Sequence, residues 1–294
     1  MMVEKLAEIA RQQNINIYSI SQIENGIEKT VTVNPANDCN DIYSVSKNFT
    51  ATAIGILYDN GLVDLNQNIY QIFSDEYPEI DTQWKAVKVR HVLTHTVGIE
   101  TGFLDIDVED IRTYGTHDFL KTVLAHVPAL EPGTRFVYSD SNYYLASRIV
   151  EKKSGHELEN FLNKELFLPL EFQGAAFTKC PLGHSMGATG LFLRTIDMAK
   201  LGQLYLNGGV WNGKRIISEE WIRLATSEKV KLPPNSFYGY SFTGDLGKTW
   251  FAGGGMYGQK ILISRKYNRV IAWTSHEEDG SSERLMQILL SQEN

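Results

Sequence analysis

Strand-like segments lie near both ends of this chain, and a mainly helical region separates them. The strands are predicted at residues 15–20, 27–33, 250–252, 260–264 and 269–274. Asn25-Gly26 lies between the first two strands and is the strongest short-range signal for a hairpin. From about residue 60 to residue 190 the pattern favours helices and loops. Strands from the two ends can therefore share one sheet, into which the helical region is inserted.

The predicted helices complete an α+β fold. Besides an amphipathic helix at the start, they cover residues 44–58, 117–126, 142–153, 157–166, 195–207, 218–225 and 282–290. We expect a single domain, residues 1–294, in which an antiparallel sheet is flanked by helices. Its α/β lobe comprises about residues 1–50 and 190–294, and the inserted helical lobe comprises about residues 51–189. Ser44 falls at the junction of the lobes, and such clefts are common ligand sites.

Composition argues against several classes of function. The net charge is −7 and no block rich in lysine or arginine occurs, so we expect no nucleic-acid partner. No segment is long and apolar enough to predict a membrane span. Glu4 and Glu8 occur where a signal peptide needs an apolar core, which predicts a cytoplasmic protein. Cys39 and Cys180 lie far apart and indicate no disulfide framework.

Ser44-Val45-Ser46-Lys47 stands where a polar strand end meets an apolar helix. A helix places residues i and i+3 on one face, so the Lys47 amine can reach the Ser44 hydroxyl. A serine hydroxyl becomes a nucleophile when a base removes its proton, and a partly desolvated lysine can be that base. The free N–H groups at a helix N-terminus also favour a developing oxyanion. On spacing alone, an N-capping serine followed by a surface lysine explains the pattern better.

The segment 131–146 combines a turn, an extended stretch and the start of a helix. Tyr138 and Asp140 have the same side-chain parity in an extended strand, so both can face one cleft. A phenol beside an ammonium group can relay a proton. The alternative is that Tyr138 only packs and that Asp140 only caps the following helix.

Gly253, Gly254 and Gly255 directly follow the predicted strand at residues 250–252 and would extend it. Glycines weaken a strand interior, so a run of them suggests close approach of a ligand or of another backbone segment. A strand edge at this position could offer backbone N–H groups to an oxyanion. The alternative is a flexible β-bulge, and no Gly-Lys-Ser/Thr follows that would indicate a phosphate loop.

Other reactive side chains carry weaker patterns. His91 and His95 are four residues apart, as paired zinc ligands can be, but no Glu follows His91 and no third ligand is evident. The acidic residues at 105–110 lack the glycine and spacing of a calcium loop. Cys39 has no nearby histidine that would make it a nucleophile. We therefore expect no metal and no organic cofactor.

Together these stretches resemble the serine β-lactamase and penicillin-binding-protein superfamily, in particular its class C-like branch. Residues 43–51 are similar to the nucleophile segment, residues 89–99 to the L-L-T-H-T-S-G-L signature, and Tyr138-Ser139-Asp140 to the Tyr-Ser-Asn motif. Further similarities lie at residues 59–65, 195–199, 206–209 and 213–218. The resemblance covers nearly the whole chain and implies the β-lactamase/transpeptidase-like fold.

The resemblance also implies a role for each residue. Ser44 would attack a carbonyl carbon and form an acyl-enzyme, and Lys47 and Tyr138 would share the general-base and proton-return steps. Asp140 would replace an asparagine that supports the lysine; as an ionised acid it accepts hydrogen bonds but donates none. The oxyanion hole would consist of the backbone N–H groups of Ser44 and Gly255.

The third motif departs from the family. Ala252-Gly253-Gly254 falls where the family has Lys/His-Thr/Ser-Gly, so the cleft lacks a cation and a hydroxyl that help to bind a substrate carboxylate. This favours hydrolysis of an ester or an uncharged amide in a small-molecule or peptide-like substrate. The alternatives are a β-lactamase or D-alanyl-D-alanine carboxypeptidase, and a catalytically idle binding or sensing protein with the same fold.

Overall fold

The structure is a computed structural model and describes residues 2–247 and 249–292. Its helices are α1 (Met2–Gln12), α2 (Ser46–Asp59), α3 (Ile69–Phe73), α4 (Val89–Leu93), α5 (Phe119–Ala125), α6 (Asp140–Ser154), α7 (Leu158–Leu162), α8 (Thr195–Leu206), α9 (Glu219–Ala225) and α10 (Ser281–Gln292). Short 3₁₀ turns lie at Tyr43–Val45, Thr82–Lys85, Ile111–Tyr114 and Met256–Gly258, and a π-helical turn lies at Asn163–Phe167.

The strands are β1 (Ile17–Glu24), β2 (Ile27–Thr32), β3 (Cys39–Asp41), β4 (Ala175–Phe177), β5 (Leu191–Arg194), β6 (Val210–Trp211), β7 (Lys214–Arg215), β8 (Val230–Leu232), β9 (Ser236–Tyr238), β10 (Thr243–Asp245), β11 (Trp250–Gly254), β12 (Lys260–Ser264) and β13 (Arg269–Ser275). Within the described residues the main sheet has eight strands in the order β2-β1-β13-β12-β11-β10-β9-β8. Two smaller sheets comprise β3-β5-β4 and β6-β7.

The two ends of the chain meet in the main sheet, as the sequence predicts. β1 pairs antiparallel with both β13 and β2, and Ile20 lies opposite Trp273 on one side and Val31 on the other. The β1–β2 turn has Asn25 and Gly26 at φ +53° and +76°. Left-handed geometry at both central residues is typical of a two-residue hairpin, which explains the Asn-Gly pair. The α+β fold with an antiparallel sheet is confirmed.

Both faces of the sheet are covered. On one face α8 packs against β1, β12 and β13. On the other, α1 and α10 close a separate apolar cluster that contains Leu6, Ile20, Trp273 and Leu285. Among the described residues, no helix combines the length and the apolar character needed to cross a bilayer.

Helix α2 runs through the larger core, and its residues from Ser46 to Leu57 are all buried. It packs against α6, α7 and α9. A side chain at Gly55 would lie 2.3 Å from the Trp221 ring, so this position requires glycine. The helix begins two residues later than the sequence predicts, because Tyr43–Val45 forms a 3₁₀ turn first. Gly61 follows its end at φ +70°, a left-handed conformation that is typical of a glycine just after a helix.

Candidate active site

Ser44 lies in the 3₁₀ turn between β3 and α2, at the entrance to the central helix. The residue before it, Tyr43, has φ +46°, a left-handed conformation that is unusual for a bulky residue. Asp41 stabilises this turn because its Oδ1 accepts the Tyr43 N–H at 2.7 Å. Burial raises the pKa of Asp41 to about 6. The backbone conformation is thus fixed immediately before the candidate nucleophile.

Lys47 lies one turn further along, with only 2% of its surface exposed. Its Nζ lies 2.8 Å from Ser44 Oγ, 2.7 Å from Asp140 Oδ1 and 2.9 Å from the Ala188 carbonyl oxygen. Burial acts to lower the pKa of Lys47, but Tyr138 and Asp140 outweigh it, and the net pKa lies above the usual lysine value. The resting lysine is therefore an ammonium ion held by a carboxylate.

Tyr138 also contacts the Ser44 hydroxyl. Its hydroxyl donates to Ser44 Oγ at 2.8 Å, and Lys47 Nζ lies 4.8 Å from the centre of its ring. The structure thus brings Ser44, Lys47 and Tyr138 together in one hydrogen-bonded group. Both neighbours lie within proton-transfer distance of Ser44 Oγ, so once either has lost a proton this group can remove and return a proton at Ser44.

Asp140 is the first residue of α6, and Ser139 occupies the N-cap position. The alternative that Asp140 acts only as a helix cap is wrong, since Asp140 forms a buried ion pair with Lys47. Its side chain is 4% exposed, like that of its partner. A buried ion pair of this kind is sensitive to loss of either member.

These side chains open into a cavity of about 400 Å³. It is lined by the predicted residues Ser44, Tyr138, Asp140, Gly254 and Gly255, and also by Asp105, Asp107, Met256, Lys260 and Glu283. Sequence reasoning missed the second set. Asp105 and Asp107 lie in a loop more than thirty residues before Tyr138, and no motif connects them to the nucleophile.

One wall of this cavity is acidic. Carboxylate oxygens of Asp105, Asp107 and Asp140 all lie within 4.8 Å of one another. Burial, and then the neighbouring carboxylates, raise the pKa of both Asp105 and Asp107. Thr189 Oγ1 donates to Asp107 Oδ2 at 2.6 Å. Such a group could hold a cation, whereas a substrate carboxylate would be repelled from it.

The glycine-rich strand differs from the prediction in three positions. The Gly255 N–H donates to the Gln259 carbonyl oxygen at 2.9 Å, so this amide is already engaged and does not form the predicted oxyanion hole with Ser44. Ala252 packs into the apolar cluster under α1 and α10, away from the cleft. A side chain at Gly253 would lie 2.2 Å from Asn48 Oδ1 in the interior. Within β11, only Gly254 lines the cavity.

Gly255 nevertheless approaches the nucleophile closely. A Cβ atom at this position would lie 2.6 Å from the Ile42 carbonyl oxygen and 3.2 Å from the backbone nitrogen of Ser44. The backbone at residue 255 thus lies against the turn that carries the serine. Close backbone approach, one of the two explanations for the glycine run, applies here.

His91 and His95 do not form a paired metal site. His91 Nδ1 accepts the Lys88 N–H at 3.2 Å, whereas His95 Nε2 lies 3.1 Å from the Tyr238 hydroxyl. Both rings are buried, and burial is the main reason why the pKa of each is lowered. Cys39 lies on β3 and, chiefly through burial, has a raised pKa, which opposes a thiolate nucleophile.

Comparison with known proteins gives matches over most of the chain. The family model described as Beta-lactamase matches residues 26–292. The 6-aminohexanoate-dimer hydrolase of Paenarthrobacter ureafaciens is 24% identical over 268 residues, which cover 81% of this chain and 66% of that protein. The chain therefore spans slightly less than two thirds of this curated relative's length.

Solved structures share the fold. The octameric penicillin-binding protein homologue from Pyrococcus abyssi superposes with a TM-score of 0.79 at 22% identity, covering 100% of this chain and 78% of that one. The penicillin binding protein from Bacillus halodurans gives a TM-score of 0.76 at 16% identity, covering 98% and 99% of the two chains. The predicted superfamily and fold are confirmed by these matches together with the family model.

Proposed function

The chain belongs to the Beta-lactamase family, and from this premise we propose that it is a serine hydrolase that forms an acyl-enzyme on Ser44. One observation carries the proposal: Lys47 Nζ and the Tyr138 hydroxyl both lie 2.8 Å from Ser44 Oγ. A lone serine at the start of a helix would need neither neighbour. The pair supplies the proton acceptor that a serine nucleophile requires.

Lys47 and Tyr138 act as one proton-accepting pair. The active form has lost one proton from this pair, and Asp140 and the Ala188 carbonyl orient the remaining Lys47 N–H groups. Ser44 Oγ forms a bond to the substrate carbonyl carbon while its proton passes to the pair. The pair then protonates the leaving oxygen or nitrogen as that bond breaks. Water attacks the acyl-enzyme by the reverse sequence and regenerates Ser44.

The cavity favours a substrate without a carboxylate near the scissile bond. Asp105 and Asp107 face the same space as Ser44, and the cavity cation Lys260 is paired with Glu283. An anionic group placed there would be repelled. We therefore propose an ester or amide of a small molecule as the substrate. The name of one relative, 6-aminohexanoate-dimer hydrolase, supports a hydrolase that acts on small molecules.

The test compares substrates and follows the covalent intermediate by intact-protein mass. The wild-type protein and Ser44→Ala are incubated with p-nitrophenyl butyrate, with the corresponding anilide and with a reporter cephalosporin. We expect ester or anilide turnover and an acyl adduct in the wild type and neither in Ser44→Ala. Ser291→Ala, which changes an exposed serine on α10, is the matched control and retains turnover.

The other outcomes identify the alternatives. Fast cephalosporin turnover would indicate a β-lactamase, and release of D-alanine from an acyl-D-alanyl-D-alanine peptide would indicate a carboxypeptidase. A wild type that neither turns over any substrate nor gains mass would contradict the proposal and favour an idle binding protein.

A further inference from the structure

Neither regular secondary structure nor burial holds the Tyr138 side chain in place. It lies outside any helix or strand and is 45% exposed, yet its hydroxyl is placed 2.8 Å from Ser44 Oγ. The ring of His95 lies beneath it, with ring centres 4.5 Å apart and planes inclined by 32°. His95 itself is fully buried. A rigid, buried ring therefore supports the exposed phenol from below.

His95 also binds the chain on both sides of Tyr138. Its carbonyl oxygen accepts the Val137 N–H at 2.8 Å, and its Nδ1 accepts the Ser139 N–H at 3.3 Å. Asn142 Nδ2 lies 3.1 Å from the same ring nitrogen. One residue thus contacts the backbone before and after Tyr138 and the ring of Tyr138 itself.

The hydrogen bonds of the ring define its protonation. Nδ1 faces two N–H donors and must be an acceptor, so the neutral ring carries its proton on Nε2 and donates to the Tyr238 hydroxyl. Burial, and then the nearby Lys47 ammonium, lower the pKa of His95 well below its usual value. A charged ring would present an N–H to both donors and break this arrangement. His95 is consequently a neutral acceptor at neutral pH.

The backbone of His95 is unusual as well. Its φ of +55° is left-handed, which costs free energy for a residue with a large side chain. Such a conformation persists only when surrounding contacts determine it. The carbonyl bond to Val137 and the ring bonds to Ser139 and Tyr238 are those contacts.

We propose that His95 is a positioning residue that fixes the Tyr138 hydroxyl within hydrogen-bond reach of Ser44. The inference rests on the proposed function of the Ser44 site. His95 touches neither the cavity nor Ser44, so it acts only through Tyr138. Without it, residues 137–139 lose their anchor and the phenol moves away from the serine.

A double-mutant cycle tests this coupling. His95→Phe keeps an aromatic ring but removes the Nδ1 acceptor, and His95→Asn keeps an acceptor near the Nδ1 position. We expect His95→Phe to lower kcat for p-nitrophenyl butyrate about 10- to 100-fold with little change in KM, because a displacement of about 1 Å can have an effect of this size. His95→Asn recovers part of that loss. In a Tyr138→Phe background, His95→Phe has little further effect.

His91→Phe is the matched control. It makes the same chemical change at a buried histidine on the same segment, whose ring faces Gly133 rather than Tyr138, and we expect kcat within about threefold of wild type. The proposal is overturned if His95→Phe and Tyr138→Phe lower kcat by independent, multiplying factors. It is also overturned if the two histidine variants lose activity equally.

Hydrogen exchange of residues 136–142 supplies a readout that needs no turnover. We expect faster exchange in folded His95→Phe, as judged by circular dichroism, and wild-type exchange in His91→Phe. If the wild type hydrolyses none of the substrates, the proposed function fails. Hydrogen exchange still tests whether His95 holds residues 137–139 in place. Unchanged exchange in His95→Phe contradicts the proposal. If His95→Phe does not fold, His95→Ala, which also removes the ring nitrogen acceptor, replaces it in the same comparisons.

Discussion

Asp140 distinguishes this site at the level of single residues. The motif that residues 138–140 resemble carries asparagine at this position, whereas this chain places a carboxylate 2.7 Å from Lys47 Nζ. An asparagine could support the lysine without adding a charge. The carboxylate helps to raise the pKa of Lys47, so it opposes loss of the proton that the active form must lose.

We expect Asp140→Asn to move the rising limb of the pH–activity profile to lower pH, by about one unit or more. The substitution removes the negative charge that favours the Lys47 ammonium ion, so the Lys47–Tyr138 pair loses its proton at lower pH. Activity requires that deprotonated pair and therefore appears earlier as the pH rises. The measurement is kcat/KM for an uncharged ester from neutral to alkaline pH, with the spontaneous hydrolysis of the ester subtracted.

Glu283→Gln provides the comparison for this prediction. Glu283 is a carboxylate of the same cavity, but its partner is Lys260 rather than Lys47. We expect the limb to stay in place in this variant. A limb that remains fixed or moves to higher pH in Asp140→Asn would contradict the electrostatic role of Asp140.

At the level of elements, the contact between α2 and β11 explains one departure from the family pattern. Gly253 lies under the first turn of α2, and Asn48 Oδ1 occupies the space of a side chain there. Asn48 Nδ2 donates to the carbonyl and hydroxyl oxygens of Ser241, which orients the amide toward the glycine. The Asn48 side chain on α2 therefore fills the space that a side chain at position 253 of β11 would occupy.

Gly253→Ala tests this packing. A Cβ atom 2.2 Å from Asn48 Oδ1 must displace the amide or the strand, so we expect the free energy of unfolding to fall by about 1–3 kcal/mol. The loss should be smaller in an Asn48→Ala background, where the space is open. Urea unfolding of the wild type, the two single variants and the double variant measures both effects.

The neighbouring glycine supplies the control. At Gly254 the nearest atom to an added Cβ is the flexible Lys260 Nζ at 3.4 Å, so Gly254→Ala should cost little. Equal costs at the two positions would show that strand propensity, rather than contact with Asn48, determines the effect.

This element also shows where sequence reasoning stops. Three consecutive glycines correctly predicted close approach, because the absence of side chains is visible in the sequence. Which neighbour approaches each glycine depends on tertiary packing: the Ser44 turn at Gly255, but the Asn48 side chain at Gly253. The spacing S-x-x-K placed Lys47 beside Ser44 since a helical turn fixes that distance. It could not place Asp105 or Asp107, which reach the cavity from an irregular loop.

At the level of the whole molecule, the sequence predicted that strands from both chain ends share one sheet, but it did not predict all of the strands in that sheet. Long strands with clear alternation or tight turns identified the pairing of the two chain ends. Strands β8, β9 and β10 have three residues each, too few to show a period, and they form one edge of the main sheet. Their pairing is stabilised by the sheet that they extend, not by their own pattern.

The two ends of the chain also meet in the apolar cluster under α1 and α10. Leu6 from α1 and Leu285 from α10 are both fully buried there, beside Trp273 of β13. If the fold unfolds as one cooperative unit, removing either leucine side chain must lower the stability of the whole protein. We expect Leu6→Ala and Leu285→Ala each to reduce the free energy of unfolding by about 2–5 kcal/mol.

Leu62→Ala is the matched control, because the Leu62 side chain is 49% exposed and should contribute little. Urea unfolding followed by tryptophan fluorescence and by far-ultraviolet circular dichroism gives the free energies and tests whether the two transitions coincide. Local fraying would leave the main transition of Leu6→Ala unchanged and would remove α1 from the cooperative unit. Coincident transitions that shift in both buried variants would instead show that segments nearly three hundred residues apart stabilise one another across the main sheet. Strand β11 belongs to the same sheet, and Gly255, the residue after it, packs against the Ser44 turn.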